Sequence, residues 1–234
     1  ISISPYVDAV SDEPLIAHMP ELGNIVGEKT YSSVNITEWI LDNGVRVLLK
    51  PTNFKNDEII FKAFSPGGTS LAGDENFLSA ELSSDIISES GIGNFSSIQL
   101  DKKLSGKIVS VSPYISELYE GLRGSASPQD IETLFQLIYL NITASRLDSS
   151  SFNSYLSRIS GWLENWKSRP ESVFQDTLTV TLSQNHIRKR PLTAEILPET
   201  DLQKAVNFYR DRFGDAGDFT FILVGNFDTD KIKP

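Results

Sequence analysis

An Asn43-Gly44 pair stands between two apolar runs, Trp39-Ile40-Leu41 and Val45 to Leu49, and it commits this part of the chain to a β-hairpin. Glycine, and to a lesser degree asparagine, adopt the positive φ values that a tight reversal demands. A further strand is expected over Ile59–Phe64, stopping at Pro66-Gly67-Gly68. The pattern then changes period. Leu78, Leu82 and Ile86 recur every four residues behind a capping Asp74, with Gly91 past the end, which predicts a helix.

The rest alternates in the same way. A short helix is expected from Ser97 to Leu104, and strands over Lys107–Ser112 and Leu118–Arg123. Ser127-Pro128-Gln129-Asp130 is a helix start, with a capping Ser and Pro at the first helical position. Ile131, Leu134, Phe135, Ile138 and Ile142 form the apolar stripe behind it. Further helices should hold Phe152–Trp166, Val173–Leu182 and, opened by Pro198-Glu199-Thr200-Asp201, Leu202–Tyr209. The β-branched run Thr177–Thr181 weakens the second of these. Phe219–Val224 is a buried strand ending at Gly225. Strands, clustered helices and a returning strand give an α+β fold, a mostly antiparallel sheet with helices packed on one face. Residues 1–36, with little periodicity beyond an apolar Leu15-Ile16, read as a leading linker segment, and 37–234 as one domain.

Composition narrows the chemistry. Cysteine is absent from the 234 residues, which removes disulfides, thiolate metal sites and cysteine nucleophiles. A formal net charge of −10 argues against nucleic acid as a partner. No apolar run is long enough to span a bilayer. The chain starts at Ile1 rather than Met, and is read as a piece of a longer protein. Only two histidines exist, His18 beside Met19-Pro20 and His186 in a polar basic stretch, and both read as ordinary surface residues. No G-x-S-x-G elbow supports a serine nucleophile. Gly67-Gly68 and Gly91-Ile92-Gly93 read as turns, since they match no phosphate-binding fingerprint. Arg188-Lys189-Arg190 reads as a solvated loop, and the sequons at Asn35, Asn94 and Asn141 as chance matches. Glu81, Asp85 and Glu89, four apart and near Asp74 and Glu75, mark either a hard-cation site or a solvated helix edge.

Four segments in order resemble the pitrilysin/insulysin family of zinc metallopeptidases, the inverzincins. They are Leu41-Asp42-Asn43-Gly44-Val45-Arg46-Val47, Phe64 to Thr69, Phe77 to Gly93, and Asp201–Phe213 followed by Phe219–Gly225 and Asn226-Phe227-Asp228. The resemblance covers 37–234 and implies the LuxS/mitochondrial-processing-peptidase-like metallohydrolase fold. In catalytic members the first core helix carries H-x-x-E-H, whose imidazoles grip zinc and whose Glu is the general base. Here Glu81, Ser84 and Asp85 stand in those places, and no neighbouring register offers a histidine. Glu164, the one acid in the Phe152–Trp166 helix, would then have no metal to complete.

The resemblance implies the first domain of a zinc-less half. It would be non-catalytic itself and hold no cofactor, with zinc in the catalytic half of the same polypeptide. Its expected role is a wall of the peptide-degradation chamber, in a bacterial exported or envelope protein. Peptide substrates are the expected partners, added along a strand edge. The alternative is a free-standing inactive homologue that binds peptides or scaffolds a partner.

Overall fold

The computed structural model describes residues 13–233. Seven strands form one sheet: β1 (Ile25–Tyr31), β2 (Ile36–Leu41), β3 (Arg46–Pro51), β4 (Ile59–Pro66), β5 (Val109–Ile115), β6 (Tyr119–Ala126) and β7 (Thr220–Gly225). Their spatial order is β1-β2-β3-β7-β4-β6-β5. Every neighbouring pair is antiparallel except β3–β7. The last strand in sequence thus lies in the middle, between β3 and β4.

Seven helices accompany the sheet: α1 (Phe77–Glu81), α2 (Ser83–Ser90), α3 (Ser97–Lys103), α4 (Ile131–Thr143), α5 (Ser149–Lys167), α6 (Pro170–Leu182) and α7 (Leu202–Phe213). Along β4, Ile59, Phe61, Ala63 and Ser65 are buried while Ile60 and Lys62 face solvent, so the sheet packs on one side only. That side meets Ile87 of α2, Leu134 and Ile138 of α4, and Val206, Tyr209 and Phe213 of α7. The Tyr209 and Phe213 rings stack 4.2 Å apart, and the Tyr209 hydroxyl donates to the Asn141 carbonyl at 2.9 Å. A second apolar cluster joins α1, α2, α5 and α7 through Leu78, Leu82, Ile86, Tyr155 and Ala205. Leu15 and Ile16 pack on a third, around Ile92, Leu137 and Leu140.

The α+β reading matches this architecture, with differences that have local causes. The hairpin turn has three residues, with Gly44 alone at positive φ (88°). Asn43 contributes its side chain instead, its Oδ1 accepting from the Val45 N–H at 3.2 Å. The sheet begins at Ile25, inside the segment read as a leading linker, whose first twelve residues lie outside the described ones. β1 is an edge strand with few buried side chains, so its apolar signal is weak. The expected first core helix is broken at Leu82 (φ −90°, ψ −1°). Ser83 Oγ donates to the Ala80 carbonyl at 2.7 Å and Ser90 Oγ to the Ile86 carbonyl at 2.8 Å, and such back-bonding bends helices. Asp74 does not cap it; the residue belongs to a preceding single turn, Asp74–Asn76. The cap of α7 is Asp201, while Pro198 and Glu199 lie in a separate turn, Leu197–Glu199.

Candidate functional site

Glu81 closes α1, whereas Ser84 and Asp85 open α2 beyond the Leu82 break. Ser84 is 6% exposed, while the Glu81 and Asp85 side chains reach solvent. Desolvation there raises the Glu81 carboxyl above its ordinary value, and the Lys189 charge counters this in part. Asp85 is raised likewise by desolvation; the Tyr155 hydroxyl, donating to its Oδ2 at 3.3 Å, and Arg123 oppose the shift, and Glu89 adds to it. Burial and the Asp85 charge together push the Tyr155 hydroxyl well above its usual value.

Glu81 faces a cavity of about 750 Å³, bounded by Thr69, Phe77, Glu117, His186 and Lys189 among others. Its far wall is the basic run. Arg188 Nε donates to Asp74 Oδ1 and its Nη2 to the Ala72 carbonyl, both at 2.6 Å; Nη1 reaches the Thr69 carbonyl at 3.3 Å. The same guanidinium lies 5.2 Å over the Phe77 ring. Lys189 Nζ meets Glu117 Oε2 at 3.0 Å, and Arg190 pairs with Glu199. Arg188 and Lys189 therefore form a strap to the turns after β4 and between β5 and β6, and Arg190 binds the turn Leu197–Glu199. Sequence reading missed the strap because Asp74 and Glu117 are distant along the chain.

Zinc does not fit this site. The donors are two carboxylates and a hydroxyl without an imidazole, and zinc's usual ligands are thiolate, imidazole and carboxylate converging tetrahedrally. A lysine charge beside Glu81 opposes a second cation there. Among the described residues no group of three or more His, Cys, Asp or Glu side chains is placed to hold a metal ion. The acids of the hard-cation alternative are dispersed: Glu89 pairs with Arg158 and Asp74 with Arg188. Glu164 is exposed on α5. His18 is exposed; His186 is exposed too, and its Nδ1 accepts from the Arg188 N–H at 3.2 Å.

A buried acid escaped the sequence reading altogether. Glu120, 1% exposed on β6, accepts from the Gly68 N–H and pins the turn after β4. A Cβ at Gly68 (φ 62°) would lie 2.2 Å from the Ser116 carbonyl oxygen, so the turn needs glycine there. Beside the outer edge of β5 a second cavity, of about 280 Å³, runs against α2 and α3 with Asp101, Leu104 and Val111 in its walls. Of the sequons, Asn35 and Asn94 are exposed, while Asn141 is buried and donates to the Leu137 carbonyl at 2.8 Å.

No family model matches the chain. It is 25% identical over 227 residues to a "Zinc protease PQQL-like" of Arabidopsis thaliana, covering 97% of this chain and 21% of that protein. The chain spans about a fifth of the length of the curated relatives it matches. Among solved structures it superposes on the periplasmic protease PqqL from Escherichia coli with TM-score 0.80 and 24% identity, covering 98% of this chain and 25% of that one. Against the first half of that protease alone the TM-score is 0.65, with 15% identity over 84% of this chain and 43% of the half. A peptidase M16 inactive domain from Pseudomonas fluorescens gives 0.67, with 14% identity, covering 84% of this chain and 48% of that one.

Proposed function

We propose, on the premise that this chain belongs to the pitrilysin family of zinc-peptidase domains and carries no zinc motif of its own, that it is a non-catalytic wall of the chamber of a longer zinc-dependent metalloendopeptidase. What supports this reading is that the α1–α2 segment, which the resemblance aligns with the metal-gripping helix, carries no histidine, and that Lys189 supplies positive charge beside Glu81. The better superposition on whole PqqL than on its first half supports a place in the other half.

In that role the chain's own residues do three things. The strap of Arg188 and Lys189 holds the turns after β4 and between β5 and β6 in place, so the cavity beside Glu81 keeps its shape. The buried side of the sheet gives the wall its rigidity. The unpaired edge of β5 offers main-chain groups to an extended peptide, less one donor at Pro113. Zinc, when held by the catalytic half, supplies Lewis-acid chemistry to the parent protein. PqqL of Escherichia coli is a periplasmic protease, which extends the reading to an exported protein; among the described residues no helix is long and apolar enough to cross a membrane.

The test is metal analysis of the full-length parent beside its E81A/S84A/D85A variant. One zinc per polypeptide in both, with peptide cleavage preserved, is the expected result. Loss of zinc or of cleavage in a variant that remains folded overturns the reading.

A further inference from the structure

Helix α6 is built inside out. At four-residue spacing, Ser172, Asp176 and Val180 turn toward the body of the protein; Ser172 is buried and the other two are half-buried. On the opposite side, at the same spacing, Phe174, Leu178 and Leu182 are 68%, 38% and 75% exposed, and the adjoining Val173 is 51% exposed. None of these four belongs to an apolar cluster of the domain. Burial of an amphipathic face normally holds a helix of this length. Among the described residues the apolar face is the uncovered one, and Thr177, Thr179, Val180 and Thr181 give the helix little intrinsic propensity. On the preceding helix Trp162 is 53% exposed and stacks on Trp166 with ring centroids 5.2 Å apart.

Two observations identify what covers this face. Of the two charged side chains of α6, Asp176 is turned inward and Glu171 borders the exposed face, within a chain of formal charge −10. An isologous pair of copies would bring two strongly acidic chains together with Glu171 at the edge of the contact. The relatives match this chain over nearly its whole length yet are about five times longer, so a further domain is tethered to the same fold in them. A tether supplies a high effective concentration, which an apolar stripe of modest area needs. We infer that the Phe174–Leu178–Leu182 face of α6 is an intramolecular docking surface, covered by an apolar groove with a basic rim on another domain of the same polypeptide.

This rests on the reading of the chain as one domain of a longer protein, but its test is independent of peptidase activity and of zinc. A benzophenone amino acid is placed at Leu178 of the full-length polypeptide, irradiated, and the cross-linked peptides are read by mass spectrometry. Expected is a cross-link within one polypeptide to residues outside 1–234, lost with F174D/L182D. In parallel, amides 170–182 should exchange at least tenfold faster in F174D/L182D while β7 amides stay protected, which separates undocking from unfolding. A cross-link between two copies, a cross-link to a separate protein, no cross-link, or exchange of 170–182 in the parent as fast as in the variant overturns the inference.

Discussion

Arg188 and Asp74, 114 residues apart, meet at 2.6 Å, and the same guanidinium satisfies the carbonyls of Ala72 and Thr69. A single side chain thereby closes the wall of the cavity beside Glu81. The carboxylate contact is partly exposed and so worth little alone, whereas the two carbonyls lose their donor if the guanidinium goes. Arg188→Met is expected to destabilise the chain by about 1–3 kcal/mol, and Asp74→Asn by less than about 1 kcal/mol, in urea unfolding. Equal costs for the two would show that the ion pair, and not the carbonyl clamp, dominates.

Glu81 gives a pH dependence of definite sign. Its carboxyl is raised in the folded chain by desolvation, so the folded state holds its proton to higher pH than the unfolded state does. Its contribution therefore turns against folding as pH rises from the ordinary carboxylate range through the raised value, and is absent below both. Glu81→Gln should stabilise the chain at pH 7 and make no difference at pH 3. Unfolding midpoints of the two proteins across that range decide the matter; a variant less stable at pH 7 contradicts it.

The turn after β4 predicts a steeper effect. Gly68→Ala places a methyl within 2.2 Å of the Ser116 oxygen at positive φ, and also disturbs the Glu120 contact to the Gly68 N–H. Strain and a buried carboxylate left short of a donor together should cost more than about 2 kcal/mol. Thermal unfolding of Gly68→Ala beside Gly106→Ala, where the added methyl meets nothing within 4 Å, measures the part due to crowding.

Phe213 is fully buried between the rings of Tyr209 and Phe219. Phe213→Ala should cost about 3–5 kcal/mol. Phe213→Leu, which keeps most of the volume, should cost markedly less, and chemical denaturation of both separates packing volume from ring stacking.

The sequons separate by burial. Produced in a secretory pathway that glycosylates Asn-X-Ser/Thr, the chain should accept glycan at Asn35 and Asn94 and none at Asn141, whose amide is turned inward to the Leu137 carbonyl. Glycopeptide mapping reads this directly.

What the sequence reveals here is what is local. The hairpin at Asn43-Gly44, the Ser127-Pro128 helix start and the α4 helix depend on neighbours a few residues away, and each is found; within the expected stripe of α4, however, Phe135 is exposed, and Leu137 and Leu140 are buried beside Leu134 and Ile138. The interruption at Leu82 is spanned by a local bond from the Ser83 hydroxyl to the Ala80 carbonyl, which no periodicity announces. β1 escapes because an edge strand needs few apolar side chains. The strap escapes for a different reason: Arg188, Lys189 and Arg190 look like any basic loop until Asp74, Glu117 and Glu199 are brought to them by the fold. That Glu81 ends one helix while Ser84 and Asp85 lie in the next is not written in the four-residue apolar spacing.

The place of β7 has a consequence for synthesis. Among the described residues, strands β1 to β3 are joined in the sheet to the β4-β6-β5 group through residues 220–225. Until that strand leaves the ribosome, two half-built leaves wait with open inner margins, each able to recruit the wrong neighbour. Maturation then resembles driving a keystone: one late strand, Phe221 and Leu223 foremost, locks both leaves at once.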